Sequence, residues 1–581
     1  MSSPITVAQY LLKRLRQLGV DSMHGVPGDY NLELLDYIEP AGLNWVGNAN
    51  ELNAAYAADG YSRIKGLGAI ITTFGVGELS AINAIAGAYA EFAPIVHIVG
   101  VPARHVQDAR LSIHHTFNDG EYRRFADMHA RVTVAQAWLT DPVTCAQQID
   151  DAISQCLLRS RPVYIQVPVD MVSAIVPLAA SRLATEIQVP QPAPHSAEKE
   201  VLDIIVDKIK KSKQPIIMVD GESRPLGLLD SLQTLVTKSR WPTWVTVFGK
   251  GLVNETSPNF RGVYCGAYDE PAVHEFFQGA DLAFEFGPHH SLTNSYAYTS
   301  IPKTEVTIAF TLKGVKIGDK LYRDVSSSRI LSQIIEAVDF ESIGTKASID
   351  TPPRYHLKPV SQSPADGILT QDRVWNVLGN VLQEGDIVMG ETGTSGYGIR
   401  EMPLPNHVRA FGPVTWLSIG YMLPAAQGAA LAQRELAKAG KYYGVKEPRT
   451  VLFIGDGSFQ MTAQELATII HHDLDVTVFL INNDGYTIER CLHGKKQHYN
   501  GVSRWKYLQA PALFGASDST FTAPAKTWGD LETILNNPEF QGRHGLKMVE
   551  IFLDREDTPP GILTLKMEER TDDEIPKVER I

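Results

Sequence analysis

The feature that most constrains this chain is an alternation kept up along nearly its whole length: short apolar, β-branched runs, each followed by a helical stretch. The runs are AIITTF (69–74), IVHIVG (95–100), PVYIQVP (162–168), PIIMVDG (215–221), TWVTVFG (243–249), LAFEFG (282–287), TEVTIAF (304–310), DIVMGETG (386–393), TVLFIGDG (450–457), VTVFLINN (476–483) and LKMVEIFL (546–553). They are apolar on both faces, as strands covered on two sides must be. Helical spacers between such strands make right-handed βαβ units. The expected fold class is therefore α/β, with doubly wound, mostly parallel sheets.

Two Pro-punctuated polar stretches interrupt the rhythm and read as linkers, 186–200 and 345–367. They place three α/β domains at 1–185, 201–344 and 368–560, followed by a charged tail at 561–581 that frays or docks on a neighbour. No short tandem repeat is visible, although the domains can share a fold without sharing residues. The net charge of −13 opposes nucleic-acid binding. Four scattered cysteines offer neither a disulfide framework nor a CxxC zinc pair. Lys13, Arg14 and Arg16 interrupt the first apolar stretch, which reads as an amphipathic helix and not as a signal peptide. No run of apolar residues is long enough to span a membrane. These features suit a soluble, cytoplasmic protein.

The sharpest chemical signal is Gly455-Asp456-Gly457-Ser458, at the end of one apolar run and ahead of a helix. Glycines there allow close approach of a ligand, and the free N–H groups of a helix start favour an anion. Asp456 is either a cap of that helix or a ligand to a hard cation. The next run ends in Asn482-Asn483-Asp484-Gly485, one βα unit later. Carboxyl ends of successive parallel strands converge, so Asp456, the Asn483 amide oxygen and the Gly485 carbonyl can share one magnesium ion. Diphosphate oxygens and water would complete its shell. Neither GxGxxG after a strand nor GxxxxGK[ST] occurs.

GDGS followed some two dozen residues later by NN resembles the thiamine-diphosphate motif. HGVPGDYNLELLD, GNANELNAAYAADGYSRIKG, TTFGVGELSAINAIAG and IHHTF resemble the N-terminal domain of the pyruvate decarboxylases, and GETGTSGYGI and INNDGYTIE their C-terminal domain. The middle segment is similar only in outline. The resemblance implies pyrimidine-binding, central and diphosphate-binding domains, with thiamine diphosphate and Mg2+ as cofactors. It also implies a homodimer or homotetramer, because the cofactor lies between the first domain of one subunit and the third of another.

Residue by residue, the resemblance implies that Glu51 bonds the cofactor's pyrimidine ring and favours its imino tautomer. Asp29, His114, His115 and Glu489 carry the proton transfers. Thr73 lies toward the pyrimidine side, and Thr392 and Thr394 toward the phosphates, unless these hydroxyls are caps or core. Ile419 props the cofactor into its V shape, and Ile488 lines the site beside Glu489. Leu417, where the family usually has Gly, supplies a backbone carbonyl. The other His-His pairs, 289–290 and 471–472, carry no such context, and the second reads as surface.

The implied activity is non-oxidative decarboxylation of a 2-oxo acid, pyruvate by default, through a thiamine ylid and an enamine. Alternatives are phenylpyruvate, indolepyruvate or branched-chain 2-oxo acids, then an acetolactate-type carboligase or a non-catalytic paralogue. Thr293 or Asn294, where the family usually carries a lining Phe, and Gly396, where some members carry Trp, predict a roomier pocket. Glu222 and Ser223 stand near where some members carry an activating cysteine, which predicts near-hyperbolic kinetics.

Overall fold

The computed structural model describes residues 4–177, 179–190, 193–341 and 364–570. Nineteen strands among them form three sheets. The first contains β1 (Ser22–Gly25), β2 (Asn44–Gly47), β3 (Gly68–Thr73), β4 (Ile95–Val101), β5 (Gln136–Trp138) and β6 (Val163–Pro168). Its spatial order is 2-1-3-4-6-5, all parallel. The second contains β7 (Pro215–Val219), β8 (Thr243–Val245), β9 (Phe260–Val263), β10 (Leu282–Phe286), β11 (Thr307–Thr311), β12 (Gly314–Ile317) and β13 (Lys320–Arg323). Its order is 9-8-7-10-11-12-13, with an antiparallel hairpin of β12 and β13 on one edge. The third contains β14 (Ile387–Gly390), β15 (Arg409–Phe411), β16 (Thr450–Gly455), β17 (Val476–Asn482), β18 (Phe521–Ala525) and β19 (Lys547–Phe552), in the order 15-14-16-17-19-18, again all parallel. Counted from its own first strand, the third sheet repeats the order of the first.

The equivalent helices of these two domains pack on each other. Glu51–Lys65 joins β2 to β3, and Met422–Lys438 joins β15 to β16. Their crossing is set by small residues: a methyl group on Gly60 would lie 2.1 Å from the Ala425 carbonyl oxygen, and one on Gly428 1.8 Å from that of Ala57. Only glycine allows backbones this close. Polar bonds flank the seam, with Tyr421 donating to Asp59 at 2.6 Å and Lys65 pairing with Glu435 at 2.6 Å. One apolar core runs through the seam, from Ile70 and Ile71 of β3 to Leu452 and Ile454 of β16. The central domain keeps cores of its own on the two faces of its sheet.

Several boundaries differ from the sequence reading. The stretch read as a linker at 186–200 already starts a helix at Glu198. Residues 345–363 of the second linker lie outside the described residues. The rest of it is docked, since the Gly529 N–H donates to the Ala365 carbonyl and the Trp528 N–H to that of Gly367. The stretch read as a tail begins with a helix, Ile562–Glu569, whose Leu563 and Met567 bury against Cys491. Residues 571–581 lie outside the described residues.

Candidate active site

In the third sheet the chain leaves β14 toward one edge and β16 toward the other. A crevice opens between their carboxyl ends, where open α/β sheets take ligands. A cavity of about 350 Å³ lies there, lined by residues from 392–395 after β14, by Ile419, by Gly455–Ser458 after β16, and by Asn483 and Gly485–Glu489 after β17. Gly393 and Gly455 have open space where a side chain would stand. The Thr392 and Ser395 hydroxyl oxygens are buried, and no protein group meets either with hydrogen-bond geometry. Ser395 sits in the first turn of the helix Thr394–Glu401, which has no side-chain cap for its first N–H groups.

Asp456 is 1% exposed and opens the helix after β16. One of its oxygens accepts from the Gly457 N–H at 2.9 Å and the other from the Gly485 N–H at 3.0 Å. Burial nevertheless pushes its pKa up to about 7. Asn483 donates from its amide nitrogen to Thr487 at 2.8 Å. That leaves its amide oxygen 3.0 Å from the Gly485 carbonyl oxygen and 3.2 Å from an Asp456 oxygen. Three oxygens this close repel one another unless a cation lies among them or the amide turns over to donate. Oxygens bound at about 2.1 Å to one magnesium ion stand roughly 3.0 Å apart along an octahedral edge, so this donor set fits that ion. Asp484, between two of these groups, turns away to Arg504 and Arg555.

Ile419 reaches the cavity from a segment under several restraints. Glu91 of the first domain accepts from the N–H groups of Val414, Thr415 and Trp416 at 2.8, 2.8 and 3.2 Å. Leu417 adopts φ +55°, a left-handed conformation that a glycine would take freely. Leu417 lines a separate small hollow together with Tyr56, Trp416 and Tyr421 and is not among the residues lining the cavity.

The first domain carries a second constellation at the carboxyl ends of its own strands. His114 bonds Asp29 through Nε2 and stacks on Tyr30. His115, at φ +62°, holds its Nδ1 3.9 Å from the other Asp29 oxygen. Glu51 opens the helix Glu51–Lys65, with Asn50 as its cap. Glu51 and Thr73 both press on Gly77, where an added methyl would meet them at 3.0 and 3.1 Å, and Thr73 also presses on Gly28. The Thr73 hydroxyl is buried without a partner. None of Asp29, Glu51, Thr73, His114 and His115 lines the third-domain cavity, whereas Glu489 and Ile488 do. The two clusters are therefore separate within one chain.

The family description "Thiamine pyrophosphate enzyme, N-terminal TPP binding domain" matches residues 5–122, the central domain of the same enzymes matches 202–337, and their C-terminal TPP binding domain matches 392–533. Pyruvate decarboxylase of Aspergillus parasiticus is 50% identical over 567 residues, 97% of each chain. Pyruvate decarboxylase isozyme 1 of Saccharomyces cerevisiae is 39% identical over 564 residues, covering 97% of this chain and 98% of its own. The chain belongs to the pyruvate decarboxylase family of thiamine pyrophosphate enzymes. The fold also matches that of the Rhodococcus jostii RHA1 thiamine diphosphate-dependent 4-hydroxybenzoylformate decarboxylase, with a TM-score of 0.75 at 19% identity over 94% of this chain and 99% of that one. As a member of the family it is a thiamine-diphosphate-dependent carboxy-lyase that uses magnesium.

Two sequence expectations for this decarboxylase need correction. The Thr293 hydroxyl donates to the Val414 carbonyl at 2.6 Å, and Asn294 is fully buried with its amide on Asp220 at 3.0 Å. The Thr293 bond ties the central domain to the third, the Asn294 bonds stay within the central domain, and neither residue lines the cavity. A side chain at Gly396 would start 2.9 Å from the Glu391 carbonyl oxygen, so that glycine reflects backbone packing and not an open wall.

Sequence reasoning missed Ser395, Tyr486 and Thr487 in the lining, and Glu391 behind it. Glu391 is fully buried and accepts from the N–H groups of Thr392 and Met422 at 2.7 and 2.9 Å. It thus ties β14 to the start of the seam helix. Tyr486 lies where a Gly457 side chain would be, 2.4 Å away, which is why GDG needs its second glycine.

Proposed function

We propose that this chain decarboxylates pyruvate to acetaldehyde and CO2. The observation that carries the reading is the convergence of the Asp456 carboxylate and the Gly485 carbonyl within about 3 Å of the Asn483 side-chain amide in the third-domain cavity. The substrate rests on the relatives, which bear the name pyruvate decarboxylase. Asp456, Asn483 and Gly485 hold the magnesium ion. Gly455, Gly457, Ser458, Thr392 and Thr394, together with Ser395, receive the diphosphate. Bound thiamine diphosphate supplies the electron sink for the bond broken as CO2 leaves.

The chain's own residues orient and move protons. Glu51 keeps a proton on the pyrimidine ring nitrogen, since a carboxylate favours the charged form beside it. Thr73 lies on that side, and the Leu417 carbonyl accepts from the ring's amino group. Ile419 and Ile488 exclude water and shape the cofactor. Asp29, His114, His115 and Glu489 give and take the protons that replace and release groups at the reacting carbon. Tyr30, stacked on His114, fixes the orientation of that ring. Because the two clusters lie apart within one chain, the active unit is a homodimer, paired further into a tetramer. Four free cysteines support a reducing, cytoplasmic setting.

The test is product analysis with kcat/KM for pyruvate, phenylpyruvate, indolepyruvate and 2-oxoisovalerate on the cofactor-loaded protein. Acetaldehyde from pyruvate, with pyruvate the best of the four, is expected. Acetolactate as the main product would replace the reading with a carboligase, and a higher kcat/KM for a larger acid would replace the substrate.

A further inference from the structure

The helix Val76–Ala90 follows β3, just as the helix that opens with Asp456 follows β16 in the equivalent sheet. In the third domain the start of that helix faces the cavity. In the first domain it is closed by a side chain from within. Glu78 is fully buried, and one of its oxygens accepts from the Gly75 N–H at 2.9 Å. The other accepts from the Tyr164 hydroxyl at 2.7 Å, and Gln166 in turn donates to that hydroxyl at 3.1 Å. His129 meets the Glu78 carbonyl at 3.2 Å. A carboxylate this deep is costly unless its oxygens are satisfied, and here both are.

What these bonds fix is the turn from Thr73 to Gly77. Gly75 adopts φ +66°, and a methyl group on it would fall 2.3 Å from the His115 carbonyl oxygen. Gly77 lies directly under the Glu51 carboxylate and against Thr73, and Thr73 presses on Gly28, the neighbour of Asp29. One short turn therefore touches the backbone of His115, the side chain of Glu51 and the segment that carries Asp29. We infer that Glu78 is a positioning residue for the reaction: through Gly75 and Tyr164 it sets the turn against which Glu51 and His115 are placed. The inference rests on the proposed role of Glu51.

The experiment compares Glu78→Gln, Tyr164→Phe and Glu51→Gln, loaded with thiamine diphosphate and magnesium. It reads kcat, KM, thermal stability and the rate of C2–H/D exchange of the bound cofactor. Misplacement by a fraction of an ångström should lower kcat and exchange together in Glu78→Gln, by about tenfold or more, with KM within roughly twofold. Tyr164→Phe, which removes one of the two bonds, should move both in the same direction by less, and it carries the test if Glu78→Gln does not fold. Lower thermal stability with kcat and exchange unchanged in the folded variants would overturn the inference and leave Glu78 a core acid. If Glu51→Gln abolishes exchange while Glu78→Gln does not, the inference alone falls. If Glu51→Gln also exchanges normally, the reading of the site falls with it.

Discussion

At the proposed metal site, the burial of Asp456 bears directly on cofactor binding. This residue is a nearly inaccessible carboxylate whose described partners are backbone N–H groups, and its pKa is raised to about 7. Magnesium requires the ionised form, so cofactor binding must expel a proton below that pH. Affinity for thiamine diphosphate plus magnesium should therefore fall as pH drops below 7, by up to about tenfold per unit, with proton release measurable by calorimetry in two buffers. Asp456→Ala should abolish the thermal stabilisation that cofactor and metal give the parent, since a ligand stabilises only the state that binds it. Unchanged stabilisation would place the metal elsewhere.

His24 works on the fold instead. It is fully buried in β1, and burial, with His472 nearby, holds its pKa down at about 3. The unfolded chain takes up a proton below about 6.5 that the folded chain refuses, so stability is lost as pH falls from there. By pH 5 the loss is about 2 kcal/mol. Urea unfolding of His24→Leu and parent at pH 7 and pH 5 should show the difference moving toward the variant by that amount.

Among the elements, the crossing of Glu51–Lys65 and Met422–Lys438 is the tightest contact between domains. Gly428→Ala drives a methyl group into the Ala57 carbonyl, and overpacking of this kind costs about 3 kcal/mol. The midpoint of urea unfolding should fall accordingly. The sequence reading could not anticipate this seam, because a run such as NAAYAADGY advertises small residues but not their partner. It found the strands with long apolar runs, such as β4, β16 and β17. It missed β1, whose four residues Ser22–Gly25 are all buried in the middle of a sheet yet include serine, histidine and glycine. It also missed the β12–β13 hairpin, although Gly318-Asp319, with Gly318 at φ +57°, is a recognisable two-residue turn. TWVTVFG is strand only to Val245, because the Thr246 hydroxyl turns to Asp220 at 2.5 Å. Motif residues at strand ends were legible because phosphate and metal chemistry restrict them. Ser395 and Glu391 were not, since only the fold shows which hydroxyl lacks a partner or which carboxylate ties two elements together.

At the scale of the molecule, the proposed assembly of each active site from two chains gives a complementation test. In a mixed dimer of Glu51→Gln and Asp456→Ala chains, one site carries both lesions and the other carries neither. Co-expression should therefore restore activity that neither homodimer has. No recovery in verified mixed dimers would mean that each site is built within one chain.

The single core through the seam also determines how the molecule comes apart. Since β3 and β16 flank one continuous apolar interior, the first and third domains cannot lose it independently. The central domain has its own interior and is tied on by polar bonds, including His289 to Thr415 at 2.8 Å and Lys250 to the Met402 carbonyl at 2.8 Å. Melting should thus proceed in two cooperative steps and not three, with the outer domains forming one unit although residues 186–367 separate them along the chain. Calorimetry with hydrogen exchange should find amides of β3 and β16 opening together, and those of β10 opening separately.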